Sequence, residues 1–79
     1  MPTVLRKSGF NFKINIDDHA PARVHVWHQG RTLIIEFADE VITRNNYGFS
    51  RREESQALRI VGQNQIFFQA EWSKIYGQS

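Results

Sequence analysis

The segment ARVHVWHQGRTLIIEF, residues 22–37, constrains the fold of this chain more than any other stretch. Apolar and polar residues alternate on both sides of Gln29-Gly30, and alternation with a period of two is typical of a half-buried β-strand. Glycine at the second central position suits a two-residue hairpin turn, although glutamine is not favoured at the first. The segment therefore predicts an antiparallel β-hairpin.

The side chains of this hairpin also predict its register. When His28 is placed opposite Arg31, one face is apolar, with His28 at its turn end, and the other face is mixed. A shift of one residue would mix the two sets, so this register is strongly preferred. On the mixed face Arg23 lies opposite Glu36, and we expect these opposite charges to pair. The apolar face carries Ala22, Val24, Val26, Leu33, Ile35 and Phe37.

Similar patterns predict the other strands. Residues 3–6 follow a proline and are typical of an edge strand, because proline cannot donate to a strand ladder. Alternating apolar residues in FNFKINI, residues 10–16, predict a second strand. Residues 41–44 predict a further short strand before a turn at the asparagine pair, residues 45–46.

The pattern changes near residue 48, where apolar residues begin to recur every three or four positions. Ser50 and Glu53 form the S-x-x-E capping box that starts many helices. Gly62 and Asn64 lower the helix propensity inside this stretch. An unbroken helix of about 26 residues would be about 40 Å long, more than a small sheet covers. Either the helix bends near Gly62 or its end packs on a partner. The predicted apolar stripe comprises Ala57, Leu58, Val61, Gln65, Phe68, Trp72, Ile75 and Tyr76.

Together these elements predict an α+β fold, with an antiparallel sheet of three to five strands packed against a C-terminal helix that bends near Gly62. The chain has 79 residues, of which 41% are hydrophobic, and we expect one domain over residues 1–79. It has no cysteine, which excludes disulfides and thiolate metal sites. Its start lacks the apolar core of a signal peptide, and no run reaches the ~20 apolar residues of a membrane span. We expect a cytoplasmic protein.

The stretch DDHAPARVHVWHQG, residues 17–30, contains three histidines and two aspartates. His25 and His28 are three residues apart, so in a strand they point to opposite faces. His19 and His25 remain weak candidates for a metal site, completed by Asp17 or Asp18, as in a metal-dependent hydrolase. The alternative, which we favour, is an exposed loop histidine and a sheet-face histidine. We expect no metal or other cofactor, assign no catalytic residue, and favour a binding protein over an enzyme.

The mixed face of the hairpin is the main candidate for binding. Trp27 and Ile34 are apolar residues on a face that should be wet, and tryptophan and arginine predominate in interface hot spots. We therefore expect a protein partner and an exposed Trp27, unless a segment such as residues 39–47 covers it. The predicted interaction face comprises Arg23, His25, Trp27, Ile34 and Glu36.

Nucleic-acid binding is the alternative function. The chain has ten lysines and arginines against eight aspartates and glutamates, a formal charge of +2 that is scattered along the sequence. Arg23, His25 and Trp27 could contact a nucleic acid through cations and stacking. Arg51 and Arg52 at the helix start could contact phosphates, although the adjacent glutamates dilute their charge.

Four stretches carry a family resemblance: MPTVLR at the start, HAPARVHV at residues 19–26, GFSRRE at residues 48–53 and EWSKIYG at residues 71–77. Together they resemble a family of small uncharacterised bacterial proteins, a domain of unknown function. Its members begin like MPTVLR, carry H-x-P-P-H-V-H-V, start a helix with G-F-S-x-R-E and end with W-x-x-Y/F-G. The resemblance implies the same fold over essentially the whole chain, and it implies no activity.

The resemblance also implies a partner, because members often look like halves of two-gene pairs similar to toxin–antitoxin modules. The second Pro-His of the family motif is replaced here by Ala22-Arg23. Of the three family histidines only His19 and His25 remain, and Arg23 places a fixed positive charge where the middle ligand would lie. This departure weighs against an inherited metal or acid–base role.

Overall fold

The computed structural model describes residues 3–15 and 21–76, which form an antiparallel sheet followed by two helices, so the predicted α+β fold is confirmed. The five strands occur in the order β1-β2-β3-β4-β5, each paired with its neighbour in sequence. No helix among the described residues is both long and apolar enough to cross a membrane. The elements are β1 Thr3–Lys7, β2 Phe10–Lys13, β3 Arg23–His28, β4 Arg31–Glu36, β5 Ile42–Tyr47, α1 Arg51–Gln63 and α2 Gln65–Tyr76.

The predicted hairpin register is confirmed along its whole length, from His28 opposite Arg31 to Arg23 opposite Glu36. Both turn residues have positive φ, 50° at Gln29 and 78° at Gly30. Positive φ at both central residues is the type I′ conformation, whose twist matches that of the two strands. The alternation of side chains and the turn geometry therefore specify the same pairing.

The predicted turn at residues 45–46 is wrong, because both asparagines lie inside β5. Asn45 pairs with Ile34 and Asn46 pairs with Leu33, while a bulge shifts the register between Ile34 and Ile35. The side chain of Asn46 accepts a hydrogen bond from the Phe49 amide at 2.7 Å and donates one to the Phe49 carbonyl at 3.1 Å. The turn thus comes later, and Asn46 shapes it. The second strand is also shorter than predicted, since β2 ends at Lys13.

The core lies between one face of the sheet and the two helices. The ring of Phe68 on α2 lies 5.7 Å from the ring of Phe12 and 5.7 Å from that of Phe37, measured between centroids. We call this side of the sheet the inner face. The buried core comprises Phe10, Phe12, Ile14, Val24, Val26, Leu33, Ile35 and Phe37 from the sheet side and Phe49, Ala57, Ile60, Val61 and Phe68 from the helical side.

The helix is broken at Asn64, two residues beyond the glycine near which the sequence predicted a bend. Asn64 has φ −120° and ψ 24°, and its side-chain amide donates to the Ile60 carbonyl at 2.8 Å. The side-chain amide of Gln65 then donates to the carbonyls of Phe37 and Asp39, at 2.8 and 2.7 Å. These bonds end α1 and fix the start of α2 to the chain that leaves β4.

A bidentate ion pair joins the hairpin to the start of α1. The two terminal nitrogens of Arg31 donate to the two carboxylate oxygens of Glu53 at 2.7 and 3.0 Å, and Nη1 also donates to the Gly48 carbonyl at 3.0 Å. Glu53 closes the predicted capping box, since it accepts from the Ser50 amide while the Ser50 hydroxyl accepts from the Glu53 amide. One carboxylate therefore serves the helix cap and the hairpin together.

His28 belongs to the same junction. Its Nδ1 donates to the Gly9 carbonyl at 2.9 Å, Nε2 lies 3.6 Å from Glu53 Oε2, and the ring packs edge-on against Phe10. Gly48 has φ +106°, and a Cβ there would lie 3.0 Å from Cγ of Arg31. Glycine is therefore required at this position both for its backbone conformation and for the close approach of the arginine.

Phe68→Ala should lower the free energy of unfolding by about 3–5 kcal/mol, because it removes a fully buried ring and leaves a cavity. The matched control is Phe67→Ala, since the neighbouring ring is 39% exposed. We expect this control to cost about 1 kcal/mol or less. Urea unfolding followed by circular dichroism measures both, and equal losses would contradict the position of Phe68 in the core.

The stability of the protein should depend on pH through Glu53. The hydrogen bond from Arg31, followed by that from the Ser50 amide, lowers the pKa of Glu53 from 4.5 to about 2. A carboxyl with a lowered folded pKa stabilises fully above its unfolded pKa, and this contribution is lost as the pH falls through the folded value. Glu53→Gln should therefore be less stable than wild type at pH 7, with a gap that shrinks between about pH 4.5 and pH 2.

Thermal unfolding at a series of pH values measures this gap. Glu40→Gln is the matched control, because Glu40 is exposed and lies outside the junction. A gap between wild type and Glu53→Gln that is constant over the same range would show that the ionised carboxylate is not what stabilises the junction.

Candidate functional site

Within the described residues, no helix packs on the second face of the sheet, which we call the outer face. Residues opposite one another in antiparallel strands project to the same side, so the register defines the members of this face. One row runs across all five strands, from Arg6 through Asn11, Trp27 and Thr32 to Tyr47. The outer face comprises Arg6, Asn11, Lys13, Arg23, His25, Trp27, Thr32, Ile34, Glu36, Ile42, Asn45 and Tyr47.

Three large apolar side chains of the outer face are exposed: Trp27 by 44%, Tyr47 by 59% and Ile42 by 46%. The expected exposure of Trp27 is confirmed, because residues 42–47 form a strand beside β4 instead of a cover over the face. Trp27 and Tyr47 both lie opposite Thr32, so they are two strand spacings apart, about 10 Å. The face thus presents two separated aromatic groups.

The charge on the outer face and its rim is mainly positive. Among the described residues, this surface carries four cations, Arg6, Lys13, Arg23 and Arg44, and one acid, Glu36, an excess of three positive charges. The ammonium group of Lys13 lies 5.6 Å from the centroid of the Trp27 ring, within the range of a cation–π contact. The indole is therefore both exposed and in contact with a cation.

Arg23 and Glu36 lie opposite one another in the strand register, but the predicted ion pair between their side chains is wrong. The carboxylate of Glu36 instead accepts a hydrogen bond from Arg44 at 2.7 Å, and Nε of Arg23 donates to the Pro21 carbonyl at 3.4 Å. Arg44 is the extra residue between Thr43 and Asn45, where the β5 register shifts. A bulge turns a side chain away from its regular direction, which explains how Arg44 reaches this partner.

The five predicted interaction residues, Arg23, His25, Trp27, Ile34 and Glu36, all lie on the outer face. Their role in binding stays a prediction. Sequence reasoning missed Tyr47, because the bulge at Arg44 interrupts the alternation that would have extended β5. The one sequence signal for Tyr47 as the end of a strand was its position directly before Gly48, which leads into the helix.

The histidines do not form a cluster of three. His25 lies opposite Ile34 on the outer face, whereas His28 packs against Phe10 on the inner side. The remaining candidate ligands, Asp17, Asp18 and His19, lie outside the described residues. Among residues 3–15 and 21–76, no three histidine, aspartate, glutamate or cysteine side chains are grouped so that they could hold a metal ion.

The fold and this surface define a small α+β protein with helices on one face of its sheet and an aromatic, basic surface on the other. The chain belongs to a family described as a domain of unknown function, DUF4160, whose model matches residues 9–73. The resemblance to a small uncharacterised family is therefore confirmed. Neither the curated proteins nor the solved structures include a significant match.

Acrylamide quenching should distinguish the two tryptophans. Trp72→Phe leaves Trp27 as the only indole, and its fluorescence should be strongly quenched because the ring is exposed on the outer face. Trp27→Phe leaves Trp72, which packs edge-on against Phe37 beside the core, so its quenching constant should be smaller. Equal constants in two folded variants would contradict an open outer face.

Proposed function

We propose that this protein is a binding module that uses its outer face to bind an acidic surface of a partner protein. The observation that carries the proposal is the pair of exposed aromatic residues, Trp27 and Tyr47, on a sheet face without a covering helix in the described chain. Tryptophan, tyrosine and arginine are the residues most enriched in interface hot spots. Here they occur together around a half-buried aliphatic centre, Ile34.

Charge supports an acidic partner. The excess of three positive charges would attract a negatively charged surface and speed its association. The cations lie around the aromatic residues, as in an interface with an apolar centre and a polar rim. The cation–π contact also holds Lys13 beside Trp27, where it can pair with an acidic group at the edge of the buried centre.

The edges of the sheet are less suited to binding than its face. Both edge strands contain an irregular register, between Thr3 and Leu5 in β1 and beside Arg44 in β5. Bulges and cations at an edge disfavour the addition of another strand. A partner therefore lies on the outer face instead of extending the sheet.

We further propose that the partner is the product of an adjacent gene, in a two-gene pair similar to a toxin–antitoxin module. The family resemblance supports this assignment, since members often look like halves of such two-gene pairs. The proposal needs no chemistry at the outer face, because its residues would serve only to bind.

A second candidate function is single-stranded nucleic-acid binding at the same face. The specific observation in its favour is Tyr47, which provides a second exposed aromatic group beside the cations. Single-strand binders stack bases on such side chains and hold the backbone with cations. The two candidates differ in the ligand that the outer face binds, which is a protein in the first and a single-stranded nucleic acid in the second.

The test is a titration of the purified protein with the product of the adjacent gene, followed by calorimetry. The double variant Trp27→Ala/Tyr47→Ala should raise Kd at least tenfold, about 1.4 kcal/mol, because it removes both aromatic anchors. The matched control is Ile66→Ala/Phe67→Ala, which removes two exposed apolar side chains from α2. We expect this control to leave Kd within about twofold of wild type.

Unchanged binding by the Trp27/Tyr47 variant would contradict the outer face as the site. The second candidate replaces the first if the adjacent gene product does not bind but a labelled single-stranded oligonucleotide does. The Trp27→Ala/Tyr47→Ala variant should then lose its affinity for the oligonucleotide. Circular dichroism of each variant confirms that the fold is retained.

A further inference from the structure

One side of α1 carries cations and uncharged polar groups and lies away from the sheet. The side chains at positions 51, 52, 55, 56 and 59 recur at helical spacing and line a shallow, open depression. They lie opposite the residues that α1 buries, Ala57, Ile60 and Val61. We call this the basic side of α1: Arg51, Arg52, Ser55, Gln56 and Arg59.

The glutamates next to these arginines bind residues of the sheet. Glu53 turns toward the hairpin and binds Arg31, and Glu54 accepts hydrogen bonds from the Thr43 hydroxyl and the Asn46 side-chain amide. The arginine side chains are therefore left available for a ligand, while the expected dilution of their charge by the adjacent glutamates stays a prediction. Arg51 and Glu54 are three residues apart and therefore neighbours on the helix surface, but the Glu54 carboxylate is held by Thr43 and Asn46 of β5.

Within the part of the chain that the structure describes, Arg51, Arg52 and Arg59 form no ion pair. Arg51 and Arg52 also occupy the first turn of the helix, where the macrodipole disfavours cations. The first turn is therefore an unfavourable place for Arg51 and Arg52 in terms of the helix dipole. A negatively charged ligand would account for them.

We propose that the basic side of α1 binds the phosphate backbone of double-stranded DNA. Arginine presents a planar fork of donors that matches phosphate oxygens, and Ser55 and Gln56 add donors between the arginines. The basic side spans about 12 Å from Arg51 to Arg59, at 1.5 Å per residue. That length crosses the ~12 Å major groove of B-DNA, which admits an α-helix.

The composition and shape of this side favour a DNA duplex over other nucleic acids. It contains no aromatic residue, and a single-strand site would need aromatic groups on which bases stack. The major groove of an RNA duplex is too deep and narrow for a helix to enter. Because the basic side and the outer face point in opposite directions, DNA and a protein partner could be bound together.

The experiment is fluorescence anisotropy of a labelled DNA duplex of about 20 base pairs, titrated with the full chain at 50 and 200 mM salt. Each phosphate contact contributes about −0.9 to the slope of log K against log salt. Three arginine contacts therefore predict a fall in affinity of about 40-fold between these concentrations. The variant Arg51→Gln/Arg52→Gln/Arg59→Gln should lose at least tenfold in affinity at 50 mM salt, and its slope should be smaller by about 2.7.

The charge-matched control is Arg6→Gln/Lys13→Gln/Arg23→Gln, which removes three cations from the outer face. It should bind DNA more tightly than the helix variant and keep most of the salt slope. An equal loss in both variants would show an effect of net charge alone and would overturn the proposal, as would a loss confined to the control. Because the exchanged side chains are exposed or half-buried on surfaces, both variants should keep the wild-type circular dichroism spectrum.

Two further ligands complete the test. A single strand of the same length and an RNA duplex should both bind more weakly than the DNA duplex. Equal or tighter binding of either would overturn the assignment to double-stranded DNA. Absence of DNA binding would also overturn it, without affecting the proposed protein partner, which uses the outer face.

Discussion

The bidentate ion pair between Arg31 and Glu53 fixes how the helical layer meets the sheet. Both side chains are partly buried, and paired charge-assisted bonds of this kind are short and directional. Glu53 is also the third residue of the helix and part of its capping box, so the ion pair sets the position and the rotation of α1. With Glu53 held against the hairpin, the arginines before it must point to solvent. The same contact therefore positions α1 on the inner face, and it leaves the basic side of α1 and the outer face of the sheet available for binding.

Much of this fold could be predicted from the sequence, and the reasons are specific. The hairpin register follows from the alternation over residues 22–37, where a shift of one residue would bring polar groups to the apolar face. The capping box and the weak helix propensity around Gly62 predict the start of α1 and the interruption of the helix. The exposure of Trp27 also follows from alternation, because it lies on the opposite side from Val26.

The rest depends on contacts between distant residues. One extra residue at Arg44 breaks the alternation in β5, so neither Tyr47 nor the pairing of Arg44 with Glu36 could be predicted from periodicity. The direction in which each glutamate points is set by a distant partner. Glu53 binds Arg31, 22 residues earlier, and Glu54 binds Thr43, 11 residues earlier. Local sequence shows two acids beside two arginines, and only the packed structure shows that both carboxylates bind residues of β4 and β5 instead of the arginines.

The order of strands in the sheet has a consequence for how the chain folds. Every strand pairs with its neighbour in sequence, and the longest connection between paired strands is residues 14–22. The loops that must close are therefore short, and their closure costs little conformational entropy. Sheets built from such local pairings have low contact order and fold faster than sheets with distant pairings. The meander can form by successive hairpins, and the helices complete the core from a segment that follows the whole sheet in the chain.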